Sequence, residues 1–157
     1  MIRIHTAPEQ AGLRASGKVL AQVMNALVQA VRPGVTLLQL ERVAADTITR
    51  AGAKPAFVGY HGYKNILCTS VNEEVVHCPP TSRVLAEGDL VSIDAGVIVD
   101  GMYSDCAVTV PVGTVSEPVQ KLIMVTRTAL YDIARSAIKP GNTIGDIGHA
   151  VQTYVEA

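Results

Sequence analysis

The sequence predicts a mixed α/β domain of the α+β kind, in which helices flank an antiparallel sheet in the order ααβββαα. Three observations carry this prediction. An apolar stripe with helical spacing fills the first thirty residues, and Asp100-Gly101 is a hairpin signal between two alternating segments. Helical periodicity then returns after Ser116.

The first helix begins at Thr6, which has capping-box spacing to Glu9, with Pro8 tolerated in the first turn. Leu13, Leu20, Met24, Leu27 and Val31 recur at three, four or seven residues along one face, and Pro33-Gly34 stops the helix. Thr36 with Gln39 caps a second helix whose apolar side is Leu37, Leu40, Val43 or Ala44, and Ile48; Gly52 ends it. From Lys54 the period changes. Tyr60-His61-Gly62-Tyr63 reads as a turn, and Ile66 to Val76 as an extended segment broken by Pro79-Pro80. The clearest strands are Asp89 to Val99 and Met102 to Val112, joined by the two-residue loop. Ser116 to Ile138 and Thr143 to Glu156 are the closing helices. No linker interrupts the order, so 1–157 reads as a single domain.

Composition narrows the functional classes. With 157 residues, 48% apolar and 17% charged, the chain can bury one core and is not a disordered tail. Net charge is −1 and neither sign runs in a block, so neither nucleic acid nor an anionic membrane is an expected partner. No apolar run is long enough to span a bilayer, and the N-terminus lacks a secretory pattern. Cys68, Cys78 and Cys106 are irregularly spaced, as reduced thiols would be. There is no glycine-rich phosphate loop, Gly-x-Ser-x-Gly elbow or Cys-x-x-Cys.

Two Pro-Gly segments read either as an internal repeat or as common helix-end punctuation matching by chance. Val31-Arg-Pro-Gly-Val-Thr-Leu37 corresponds to Ile138-Lys-Pro-Gly-Asn-Thr-Ile144 at an offset of 107, and Leu40 and Ile48 land on Ile147 and Val155. On the repeat reading the helices after Ser116 have an apolar stripe and no sheet of their own to cover. The expectation is a C-terminally incomplete domain, or a partner, including a second copy, that supplies the surface.

The hairpin holds the residues able to do chemistry. Alternation places Ser92, Asp94 and Gly96 on one face, with Val91, Ile93, Ala95 and Val97 on the other. A two-residue loop pairs Val99 with Met102 and Gly96 with Asp105, making Asp94 the same-face diagonal neighbour of Asp105. Such a pair reads either as solvated face residues or as ligands of a divalent cation. His77, before Cys78-Pro79-Pro80, reads as structural or as part of the same site. Of Glu73 and Glu74 at most one points into a shared site. His61, between tyrosines, reads as pocket lining.

The run Cys68-Thr-Ser-Val-Asn-Glu-Glu-Val-Val-His77, with Ser92-Ile-Asp94-Ala-Gly and Asp100-Gly-Met-Tyr-Ser-Asp105, resembles the type I, bacterial-style methionine aminopeptidases. Tyr60-His61-Gly62-Tyr63 and Lys139-Pro140-Gly141 match as well, and the resemblance extends over essentially the whole chain. It implies a pita-bread fold, two pseudo-symmetric halves around a dinuclear metal site, of which this chain holds the first half and the helices opening the second. It implies cytoplasmic residence and removal of the initiator methionine from nascent polypeptide N-termini. Two divalent metal ions (Co, Mn, Fe or Zn) are implied, with Asp94 binding one and Asp105 bridging both. His77 would hydrogen-bond the substrate near the scissile peptide. Phe57, Tyr60, His61, Tyr63 and Cys68 would line the pocket for a methionine side chain, whose thioether suits soft, aromatic contacts. Two departures qualify this. Cys78-Pro79 stands where the family has Gly and an apolar residue. The family also continues beyond the position matched by Ala157, and only Asp94 and Asp105 of its metal ligands can be matched. The expectation is therefore a chain that is inactive alone. The rivals are a prolidase- or creatinase-like enzyme of the same fold and a non-catalytic, self-associating half-domain.

Overall fold

A computed structural model describes residues 4–157, which divide along the chain into two compact units, the first ending at Thr114 and the second beginning at Val115. In the larger unit, α1 (Ala7–Ala30) and α2 (Leu37–Arg50) lie on one face of an antiparallel sheet. The sheet comprises β1 (Lys54–Pro55), β2 (Leu67–Val71), β3 (Leu90–Val99) and β4 (Met102–Pro111). β3 is central: β4 runs along one edge, while β2 and the short β1 share the other in succession.

Both predicted capping boxes are present, Thr6 with Glu9 and Thr36 with Gln39. Each threonine hydroxyl accepts from the third helical N–H while the partner side chain accepts from the threonine N–H, satisfying two otherwise orphaned donors. Thr36→Ala is expected to lower unfolding free energy by about 1 kcal/mol in a denaturant titration. The buried stripe of α1 is Leu20, Val23, Met24 and Leu27, and that of α2 is Leu37, Leu40, Ala44 and Ile48. They meet Leu67, Val71, Val91, Ile93, Ala95 and Val97 from the sheet. Two small residues let α1 approach β4. A Cβ on Gly12 would fall 2.9 Å from Met102 Cγ, and buried Ser16 shares a hydrogen bond with Ser104 at 2.8 Å.

The hairpin register is the one alternation predicts, with Val99 opposite Met102 and Gly96 opposite Asp105. Asp100 and Gly101 both take positive φ, 48° and 78°, as the tight turn that follows strand twist requires. The extended segment expected to reach Val76 instead ends at Val71. Asn72 enters the left-handed region at φ 58°, and its amide bridges Asp89 and Leu90. Glu74 folds back to accept from Val71 N–H and pairs with Arg83 at 3.0 Å, so it is structural.

The smaller unit contains α3 (Glu117–Thr128), a π-helical stretch (Ala129–Ala134) and α4 (Ile144–Val155). The predicted helix to Ile138 thus changes its hydrogen bonding midway. The internal repeat is visible in backbone detail: Thr143 forms a capping box with Asp146, at an offset of 107 from Thr36 and Gln39. Gly141 at φ 92° matches Gly34 at φ 87°. The copies differ in burial. Leu37 and Ile48 are 2% exposed, whereas Ile144 and Val155 are 84% and 49% exposed. Among the described residues no helix is long and apolar enough to cross a membrane.

Candidate functional site

The sheet face turned away from α1 and α2 carries the chemistry. On β3 this face presents Ser92, Asp94 and Gly96. Cys68 on β2 stands opposite Asp94, and Asp105 on β4 stands opposite Gly96. The two carboxylates are therefore diagonal neighbours on rigid central and edge strands. Beside them the chain leaving β1 crosses the sheet face, held by Ala56 N–H donating to Gly96 O at 2.9 Å. It then turns through Tyr60–Gly62 between Gly59 and Gly62, both at positive φ.

Together these segments enclose a cleft of about 710 Å³. Every sequence-predicted site residue lines it: Phe57, Tyr60, His61, Tyr63, Cys68, His77, Asp94 and Asp105. His77 arrives on the loop that follows β2, with its backbone at φ 61°. Cys78 O accepts from Thr69 N–H at 2.7 Å, so this loop is tied to β2 directly after the residue in question. Tyr103, named above only as part of the hairpin motif, also lines the cleft. The alternation that places Asp105 puts Tyr103, two residues earlier, on the same face. Gly96, which alternation already puts on this face, stands opposite Asp105 and brings no functional group of its own.

Two hydrogen-bonding groups at the pocket end are held neutral. Tyr63 donates to Leu67 O at 2.7 Å and its hydroxyl is pushed well above the usual phenol range, first by burial and then by its hydrogen bond with Cys68. Burial likewise raises the Cys68 thiol, with Asp94, Cys78 and Asp105 adding to the rise and Tyr63 opposing it. Both groups are neutral near pH 7. The carboxylate end is different. Asp94 is raised by burial first and by Asp105 second, with His77 pulling the other way.

Asp94 Oδ1 is buried with no hydrogen-bond partner among the described residues. An orphaned carboxylate oxygen facing a second carboxylate is unfavourable on two counts, desolvation and repulsion. A cation between them would answer both, and all-oxygen donors suit a hard or borderline divalent ion. Asp94 and Asp105 thus fit a metal as part of a ligand set. Among the described residues, no three or more His, Cys, Asp or Glu side chains converge on one point.

The model of metallopeptidase family M24 matches residues 11–157. The chain belongs to this family. Methionine aminopeptidase 1 of Bacillus subtilis is 42% identical to this M24 chain over 156 residues, covering 99% of it and 62% of the relative. The crystal structure of methionine aminopeptidase from Thermotoga maritima superposes with a TM-score of 0.95 at 41% identity, covering 99% of this chain and 63% of that one. The prolidase from Pyrococcus furiosus, at 18% identity, TM-score 0.84, and coverage of 98% and 44%, shares the fold alone. The M24 chain therefore adopts the pita-bread architecture and spans about three fifths of the length of the curated relatives it matches.

Proposed function

We propose that this chain carries the substrate pocket and the hairpin ligands of a methionine aminopeptidase acting on nascent polypeptide N-termini in the cytoplasm. The observation that supports this most is the diagonal Asp94–Asp105 pair beside an aromatic pocket in one cleft. Asp94 would hold one divalent ion and Asp105 would bridge two, drawn from Co, Mn, Fe or Zn. Such ions, when bound, supply the Lewis acidity that activates water and polarises a scissile carbonyl. The chain's own residues do the remaining work. Phe57, Tyr60, Tyr63 and Cys68 offer polarizable, apolar contacts suited to a thioether. His61 stacks edge-on against Tyr60, with ring centroids 4.4 Å apart, at the rim of the cleft. His77, exposed at the cleft on its tied loop, would hydrogen-bond the peptide next to the scissile bond. Identity of about 42% to methionine aminopeptidases, against 18% to a prolidase, favours methionine over an Xaa-Pro substrate.

The test is calorimetric binding of small amides to the chain. Methioninamide is expected to bind about tenfold or more tighter than leucinamide, as fit in an apolar pocket allows. Prolinamide binding as tightly as methioninamide would overturn the methionine assignment.

A further inference from the structure

We propose that Gly96 is a specificity-determining residue of the cleft, because the space left by its absent side chain seats the Phe57 ring directly on the sheet. The inference deepens the reading of the cleft as a methionine pocket and rests on it. Gly96 lies between the two carboxylates in the site's geometry, two residues from Asp94 on β3 and directly opposite Asp105 on β4. Its φ is not in the left-handed region, so the backbone would accept any residue. What demands glycine here is space. A Cβ at position 96 would fall 2.8 Å from Phe57 Cε1 and 2.9 Å from Ala56 Cβ, closer than side chains tolerate.

The neighbouring chain has little freedom to yield. Ala56 N–H is bonded to Gly96 O at 2.9 Å, and Phe57 O accepts from Tyr60 N–H at 3.0 Å. A methyl at position 96 must therefore push the ring and the segment behind it outward, away from the carboxylates. Gly96 thus sets how close the pocket's apolar wall comes to the reacting end. That distance decides how long a side chain is accommodated when the amine is held near Asp94 and Asp105. Gly96 acts through Phe57 and touches no substrate itself, so it is a positioning residue.

The chain contains one phenylalanine. Incorporation of 4-fluorophenylalanine therefore yields a single ¹⁹F resonance that reports Phe57 alone. Without any ligand, Gly96→Ala is expected to shift this resonance, and an unshifted resonance in the folded variant overturns the proposal. In wild type, methioninamide is expected to move the resonance. A wild-type resonance indifferent to methioninamide overturns the pocket reading and the specificity role with it, while a ligand-free shift still registers the seat. Gly96→Ala is expected to bind methioninamide about tenfold more weakly, with the preference over leucinamide reduced to near unity. A wild-type preference retained in Gly96→Ala overturns the role of Gly96 while leaving the pocket reading intact. Should Gly96→Ala not fold, Phe57→Ala at its half-buried position outside the sheet carries the test. Removing the ring is expected to erase the methionine preference, and adding Gly96→Ala in that background to cost less than about a further threefold. A preference that survives loss of the ring overturns the proposal.

Discussion

Asp94→Asn is expected to raise the melting temperature of the metal-free chain while removing its response to divalent cations. The carboxyl sits on a half-buried sheet face, with one oxygen unpartnered and Asp105 on the diagonal. Burial and the neighbouring charge both hold its pKa above the ordinary carboxylate value. Between those two values the native state binds a proton that the unfolded state has released, so stability falls as pH rises. The destabilisation is absent below the ordinary carboxylate pKa and complete above the raised one. Thermal unfolding of the wild type across this window should therefore show stability declining with pH. In Asp94→Asn this part of the slope disappears. A divalent cation should restore the wild type at neutral pH and leave the variant unmoved. A variant that melts lower than wild type without metal would mean the carboxylate supports the fold rather than straining it.

The second large effect lies directly beneath the site. Ile93→Ala removes a fully buried side chain from the core face of β3, adjacent to Asp94 on the opposite face. The expected loss is about 2–5 kcal/mol, measured by denaturant unfolding, because the deleted methyl and methylene groups leave a cavity that the strand can only partly close. Total stabilities of single domains run to about 5–15 kcal/mol, so this is a large share. A loss below about 1 kcal/mol would show that α1 and α2 close over the gap.

The same strand explains how much of the site was legible in the sequence. Val91, Ile93, Ala95 and Val97 alternate with Ser92, Asp94 and Gly96, and Asp100-Gly101 permits one compact turn. Face and register followed from those residues alone, and with them the meeting of Asp94 and Asp105. Other features depended on contacts that periodicity does not encode. Ile66 to Val76 looks extended, but the Asn72 amide finds Asp89 and Leu90 from a distant segment, which stabilises a left-handed turn and ends β2 early. The stretch Ala129–Ala134 keeps helical spacing while its hydrogen bonds widen, a change that leaves no mark in an apolar stripe. Ser16 looks like an ordinary polar residue of α1 and is buried because Ser104 supplies its partner. Alternation puts Gly96 on the site face opposite Asp105, but the ring it admits comes from the distant segment around Phe57, which periodicity does not encode.

Manganese binding tests the central claim most directly, since free Mn²⁺ gives a six-line electron paramagnetic resonance spectrum that fades as the ion is taken up. Titrated into the chain and into Asp105→Asn, Mn²⁺ should be bound by the wild type and held about tenfold or more weakly by the variant. Asp105 is exposed on an edge strand, so its replacement should leave the fold intact. Equal uptake by the two proteins, or none by the wild type, would contradict the assignment of the Asp94–Asp105 pair as a metal site.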